Sequence, residues 1–459
     1  MTKQKQQKNC DRLSACPDVA IIMASAVTGS LKSDPELARV GTLPVLLRAI
    51  LGVQSTRPGR IIVVCNTISG PRIRRELLST QRLPGQIEWI NVVPDTTLSS
   101  IVLQVAADGD RLLVVSGDRI YNPALHQIVS ARNERTSALE LASGDEPVGL
   151  FALSRETSMK LAADSRSKLV TPQDLHLWIT DNATIVDCRQ VERNLWQKIS
   201  TPEDDITAEQ KLNEWLVKPT DGIFARMNRR VSIPISRQIA RFPITPNMVS
   251  LFTLGVSFAS GVLFALGGYW DTLAGALLSV WASILDGCDG EVARLKLQAS
   301  DFGTWLETFC DYLYYLFIFA GMAIGLARSK EDPVYLIWGG VLFFGAITTF
   351  FTASLSRRGL AGKHPEQFLA VWQRKAESRL SNPLLYVGRY TEFIVRRCFL
   401  PYAILAFSLV NLTQVALYMS AVGANLAWII SLYSYIVFSS KSGAMTRINA
   451  TPKTKPIKA

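Results

Sequence analysis

The chain has 459 residues, of which 48% are hydrophobic and 19% charged, and carries a formal net charge of +11. That length accommodates more than one domain, and a mean hydropathy of +0.18 suits a chain that is part soluble and part membrane. The basic balance comes without a nucleic-acid recognition motif and points instead to anionic lipid headgroups or phosphate substrates. Three histidines, and seven cysteines without metal-finger spacing, leave a zinc site, a hydrolase triad and a disulfide framework poorly supplied.

The start, Met1 to Asn9, is polar and rich in Lys and Gln, unlike a signal peptide. After a tail over residues 1–17, an α/β domain is predicted over 18–215. Short apolar, β-rich runs at Val19–Met23, Arg60–Cys65, Ile87–Val93, Arg111–Val115 and Val148–Leu153 alternate with helix-patterned segments. Those segments are Leu43–Gln54, Pro71–Gln81, Ser99–Ala107 and Pro123–Glu134. Strands alternating with helices imply a doubly wound, mostly parallel sheet, and strands without polar alternation suit burial on both faces.

A juxtamembrane stretch follows over residues 216–246. Lys218-Pro219-Thr-Asp-Gly222 breaks the preceding helix. Ile223–Phe242 then mixes apolar residues with Arg226, Arg229, Arg230, Arg237 and Arg241 and is divided by Pro234, which predicts amphipathic helices at a membrane surface. Thr245-Pro246-Asn247 supplies an N-cap and a proline for the first helical turn.

About six apolar runs near the ~20 residues that a bilayer requires occupy residues 247–440. They are Met248–Trp270, Thr272–Leu285, Trp305–Ala327, Val334–Leu355, Phe399–Thr413 and Val415–Phe438, followed by a basic tail over 441–459. The predicted architecture is thus an α/β doubly wound domain followed by an all-α, six-helix transmembrane domain. Arg and Lys concentrate before the first run, at Arg294–Lys296, in Arg357–Arg397 and after the last run. The positive-inside rule then puts both termini and the connection after the second run on the cytoplasmic side of a multi-pass protein.

That second connection holds the most informative residues. It reads as a loop, Asp286-Gly-Cys-Asp289-Gly290-Glu-Val-Ala293-Arg294, followed by Gly303, Glu307 and Asp311. Carboxylates beside membrane runs are costly and mark function. Asp286 and Asp289 stand at i,i+3, and Glu307 and Asp311 at i,i+4, so on helices each pair shares a face. Two such faces together offer hard oxygen donors for Mg²⁺ or Mn²⁺. Gly290, Ala293 and Gly303 leave room for a ligand or a neighbouring helix, and Arg294 places a cation suited to phosphate.

The pattern D-x2-D-G-x2-A-R-x8-G-x3-D-x3-D resembles that of the CDP-alcohol phosphotransferases. Asp286, Asp289, Gly290, Ala293, Arg294, Gly303 and Asp311 match it, and Glu307 stands where the family has its third Asp. The resemblance implies transfer of a substituted phosphoryl group from a CDP-alcohol to a hydroxyl, with release of CMP. It puts Asp286, Asp289, Glu307 and Asp311 at a two-metal site, with Asp311 as the catalytic base. CDP binding then falls to Asn247, Asp286, Gly290, Ala293, Arg294 and Gly303. Arg237, Arg357, Arg358, Arg396 and Arg397 are the candidates for an acceptor phosphate. The implied partners are a CDP-alcohol, a phosphorylated polyol or other alcohol, the bilayer and a second copy in a homodimer, with no nucleic acid.

The first domain resembles nucleotidyltransferases fused to such transferases, as in inositol-phosphate cytidylyltransferase fusions. Val19–Ala24, Val114-Val-Ser-Gly117-Asp118 and Ser200-Thr-Pro-Glu-Asp204 carry that likeness. Its phosphate loop is eroded to Ser25-Ala-Val-Thr-Gly29-Ser30-Leu31, Leu43 stands where a Lys is expected, and Ser200 replaces a metal-binding Asp. These departures imply a degenerate domain with a structural, docking or regulatory role. The competing readings are an ion transporter, which gives no reason for Gly290, Ala293, Arg294 and Gly303, and a catalytically inactive membrane scaffold, prompted by Glu307.

Overall fold

Val19–Met23 (β1) is an inner strand of a seven-stranded sheet in the computed structural model. The structure describes residues 17–24, 35–80, 82–93, 96–105, 110–130, 136–164, 171–217, 221–361 and 399–439. The chain divides into two compact units, one over Met1–Val217 with Leu295–Leu297, the other over Lys218–Arg294 and Gln298–Ala459.

In chain order the first unit contains β2 (Arg39–Val40), β3 (Leu43–Pro44), α1 (Val45–Gln54), β4 (Arg60–Asn66), α2 (Gly70–Ser79) and β5 (Ile87–Val92). Then come α3 (Leu98–Val105), β6 (Leu112–Ser116), β7 (Arg119–Tyr121), α4 (Pro123–Ser130), β8 (Ala138–Ser143) and β9 (Glu146–Leu153). The unit ends with α5 (Arg155–Ala163), α6 (Pro172–Asn182), β10 (Val186–Gln190), β11 (Trp196–Lys198) and α7 (Pro202–Leu216). The sheet order is β10-β8-β9-β6-β1-β4-β5. β1 pairs in parallel with β4 and β6, Val19 standing opposite both Arg60 and Leu112, whereas β9 runs antiparallel to β6 and β8.

The two-residue period of β1 builds two cores. Ala20 and Ile22 pack with Leu46, Leu47, Ile50, Ile73 and Leu125 on one face. Val19 and Ile21 pack with Ile62, Ile101, Val102, Leu161 and Trp178 on the other. Each such aliphatic side chain contributes ~1.5–3 kcal/mol when fully buried. The helix predicted from Leu43 begins at Val45 because Leu43–Pro44 pairs antiparallel with Arg39–Val40 across Gly41 and Thr42, both at positive φ. β8 and β10 escape the sequence reading.

The second unit is helical. Its elements are α8 (Ile223–Ala240), α9 (Pro246–Leu266), α10 (Tyr269–Lys296), α11 (Asp301–Ser329), α12 (Val334–Ala361), α13 (Leu400–Leu409) and α14 (Thr413–Ser439). Pro234 does not divide α8, which runs through it. Asn228, Ser232, Ser236 and Ala240 recur every four residues as its buried stripe, and their packing offsets the hydrogen bond that proline removes. Thr245 caps α9 by accepting the Met248 N–H, and Gly267, at φ 80°, closes it in the left-handed conformation that glycine adopts without strain. Gly321 and Gly325 let α11 lie close against the Gly261 and Phe264 carbonyls of α9, the close approach that a small-xxx-small pair permits.

Among the described residues, three helices, Pro246–Leu266, Asp301–Ser329 and Thr413–Tyr433, are long and apolar enough to cross a membrane. Val334–Thr349 and Leu400–Leu409 are shorter apolar helices. The predicted loop after the second apolar run is instead helix. α10 continues through the acidic stretch to Lys296, and the turn comes at Leu297, with φ 51°. Its Asp and Gly residues read as turn formers, but contacts from α8 and α9 hold them helical.

Candidate functional site

α10 carries Asp286 and Asp289, and α11 carries Glu307 and Asp311. Because the acidic stretch is helical, the i,i+3 and i,i+4 spacings do place each pair on one face. Asp289 is buried. Its Oδ2 accepts the Ser250 hydroxyl of α9 at 2.6 Å and its Oδ1 accepts the Gly290 N–H at 2.5 Å. The charges of Asp286 and Glu307 both bear on Asp289, so acids of α10 and α11 lie within electrostatic reach of one another. Asp286, Glu307 and Asp311 are partly buried.

Asn247, in the first turn of α9, meets Gly303, in the first turn of α11. A Cβ on Gly303 would stand 3.3 Å from Asn247 Oδ1 and 3.1 Å from the Ser300 hydroxyl that caps α11. A Cβ on Gly290 would meet the Arg294 guanidinium, at 3.6 and 3.9 Å. Arg294 feels the charges of Glu291, Asp221 and Glu307. Ala293 is partly buried on the same helix. Contacts thus join the first turns of α9 to the first turn of α11 through Asn247 and Gly303, and to the acidic stretch of α10 through Ser250 and Asp289.

Among the described residues, no group of three or more His, Cys, Asp or Glu side chains converges as a ready-made metal site. The donor set still fits a divalent cation in kind. It consists of carboxylate oxygens from two helices, the hard ligands that Mg²⁺ and Mn²⁺ take. Both oxygens of Asp289 already accept hydrogen bonds within the protein.

Of the acceptor-phosphate candidates, Arg237 lies in the last turn of α8 and is partly buried. Arg357 and Arg358 fall in the last turns of α12, and their side chains lie outside the described residues, as do Arg396 and Arg397 altogether. Sequence reasoning missed two groups, Ser250 and Glu291. Glu291 is fully buried and bonded to Arg229, Ser232 and Ser236. A fifth acid inside an apolar-flanked run was the signal for it.

In the first unit, Asp118 is buried beside Arg119, whose Nε donates to Oδ1 at 3.3 Å. The same guanidinium donates to the Pro147 carbonyl at 2.7 Å and stacks over the Trp196 ring at 5.1 Å. Asp204 accepts the Ser200 and Thr201 N–H groups at 2.9 and 2.8 Å and so caps α7. The Ser25–Ser30 part of the eroded phosphate loop lies outside the described residues, as does Leu31.

Residues 243–369 match the family model described as CDP-alcohol phosphatidyltransferase. That match begins in the loop before α9 and takes in α10 and α11. The chain is 32% identical over 170 residues to the bifunctional IPC transferase and DIPP synthase of Aquifex aeolicus, covering 36% of this chain and 38% of that one. It is 28% identical over 150 residues to the phosphatidylinositol phosphate synthase of Mycobacterium tuberculosis, covering 31% of this chain and 67% of that one. Among solved structures it is similar to the inositol-1-phosphate CTP transferase from T. maritima, at 15% identity and a TM-score of 0.32, covering 43% of this chain and 95% of that one. The chain thus spans well under half the length of the bifunctional relative from Aquifex. The phosphatidyltransferase domain match takes in Asn247, the four acids, Arg294 and Gly303.

Proposed function

We propose that this protein transfers a substituted phosphoryl group from a CDP-alcohol to a hydroxyl acceptor and releases CMP. The observation that supports this most is that Asp286 and Asp289 share one face of α10 while Glu307 and Asp311 share one face of α11, all inside the matched stretch. In this reading the acceptor oxygen attacks the β-phosphorus of the CDP-alcohol, and the bond from that phosphorus to the bridging oxygen breaks. CMP leaves with the bonding pair, and Asp311 takes the acceptor proton. A divalent cation, Mg²⁺ or Mn²⁺, bound by Asp286, Asp289 and Glu307 would neutralise the diphosphate and the leaving CMP. Asn247, Gly290, Ala293, Arg294 and Gly303 line the place for the nucleotide. Positioning and charge stabilisation do most of the work in such a transfer.

The donor is CDP-diacylglycerol or a soluble CDP-polyol such as CDP-inositol. The acceptor is an inositol phosphate or another phosphorylated polyol, the choice that the relatives' names favour. Arg237, Arg357, Arg358, Arg396 and Arg397 are proposed to hold its phosphate, since a guanidinium fork suits a phosphate bidentately. The second unit is proposed to cross the membrane several times as a homodimer, with the termini and the acidic site on the cytoplasmic side. The first unit is proposed to dock or regulate, because Asp118 is engaged by Arg119.

The test is incubation of membranes containing the full chain with labelled CDP-diacylglycerol or CDP-inositol, a panel of polyol phosphates, and Mg²⁺ or Mn²⁺. CMP formed together with a phosphodiester product supports the proposal. No CMP with any pair, but CMP from a Glu307→Asp variant, supports the inactive-scaffold reading that Glu307 suggests.

A further inference from the structure

The acidic stretch of α10 holds one carboxylate that the transfer chemistry leaves unused. Glu291 is 0% exposed. Among the described residues, α8 supplies its hydrogen-bond partners. Arg229 Nη1 donates to Oε1 at 2.5 Å, the Ser232 hydroxyl to Oε1 at 2.6 Å, and the Ser236 hydroxyl to Oε2 at 2.6 Å. These three donors sit at i, i+3 and i+7, one stripe of one helix. The same guanidinium reaches the α10 backbone, donating to the Gly287 carbonyl at 3.2 Å, and holds Asp221 through Nε at 3.2 Å. A Cβ on Gly287 would stand 2.9 Å from Arg229 Nη1, so a side chain there would push the guanidinium aside.

A buried carboxylate is tolerated only when paired and hydrogen-bonded, and this one is fully engaged. Its location gives it leverage. Glu291 lies two residues beyond Asp289, roughly 200° around the helix at about 100° per residue. α9 holds Asp289 through Ser250 at 2.6 Å, while α8 holds Glu291. The acidic stretch is therefore gripped from two flanks, with Asp286 and Arg294 between them.

We infer that the Arg229–Glu291 pair, with Ser232 and Ser236, is a clamp that sets the rotation and height of α10. Glu291 is then a positioning residue for Asp286 and Asp289, acting without touching substrate. This inference rests on the transfer reading above and adds to it the residues that align the donor set. Outer partners that orient ligands of a cation are worth about 10–100-fold in affinity or activity.

The experiment uses the full chain purified in detergent, with Mn²⁺ alone as the probe and electron paramagnetic resonance reporting free Mn²⁺. Glu291→Gln keeps the shape and removes the charge. It is expected to weaken Mn²⁺ binding about tenfold and to lower kcat by a similar factor, with the KM for acceptor within about twofold of the parent. Folded Glu291→Gln protein with the parent's Mn²⁺ affinity, changed only in thermal stability, would overturn the clamp. Should that variant fail to fold, Ser236→Ala decides, with an approximately threefold loss of Mn²⁺ affinity expected and no change contradicting the inference. A parent that releases no CMP but loses Mn²⁺ affinity on Glu291→Gln sinks the transfer reading and leaves the clamp standing. A parent that binds no Mn²⁺ overturns the clamp as a device for aligning ligands.

Discussion

The Ser250 hydroxyl lies 2.6 Å from Asp289 Oδ2 and joins the first turns of α9 to the acidic stretch of α10. The bond holds a buried carboxylate in one rotamer. A hydrogen bond to a charged group contributes about 1.5–3 kcal/mol. Ser250→Ala is therefore expected to lower CMP release about tenfold while the protein still folds. Turnover rates on parent and variant, beside a thermal melt, check this. Unchanged turnover would show that Asp289 needs no such restraint.

The acids have separable roles. Asp286→Ala and Asp289→Ala are expected to abolish transfer and to weaken Mn²⁺ binding. Asp311→Asn is expected to bind Mn²⁺ and the CDP-alcohol like the parent, yet to turn over at least about 10²-fold more slowly, the range of a lost general base. Equilibrium binding and single-turnover assays distinguish the two patterns. Retained turnover in Asp311→Asn removes its assignment as the base.

The first unit is expected to release no pyrophosphate from CTP with any polyol phosphate, because Arg119 engages the buried Asp118. A pyrophosphate assay on the full chain tests this. Asp118→Asn is expected to leave CMP release by the second unit unchanged. Robust pyrophosphate formation would restore a catalytic role to the first unit.

His126, buried in α4 with no partner for its Nδ1 among the described residues, has its pKa lowered by burial from 6.5 to about 4. The folded value lies below the unfolded one, so its contribution is fully present above pH 6.5 and is lost as the pH falls toward 4. The shift corresponds to about 3 kcal/mol between these limits. Thermal melts of the full chain from pH 7 to pH 4 are expected to show a falling transition that His126→Leu flattens. A parallel fall in that variant would assign the pH dependence to other groups.

Much of this organisation is legible in the sequence where a single local signal governs. β1, β4 and β6 are nearly uninterrupted apolar runs, and burial on both faces is what such runs specify. The four acids announce themselves by cost and spacing. β8 is different. Ala138-Leu-Glu-Leu-Ala-Ser143 consists largely of good helix formers, yet it pairs with β9 and β10, and buried Glu140 is held there by His176 at 2.7 Å. The helical path of α10 through its Asp and Gly residues was hidden for a related reason. Its determinants, Ser250 and Ser232, stand 39 and 59 residues from the carboxylates they bind. Only tertiary packing brings such partners together, and no local spacing encodes them.

The central claim is that carboxylates of α10 and α11 act as one site on a CDP-alcohol. Its most direct test is CMP release by the full chain with Mg²⁺ or Mn²⁺, compared with Asp289→Ala and with Glu307→Ala. Metal-dependent CMP formation is expected in the parent, and its loss in both variants. CMP release that persists in either variant, or that ignores removal of the cation by chelation, would contradict it.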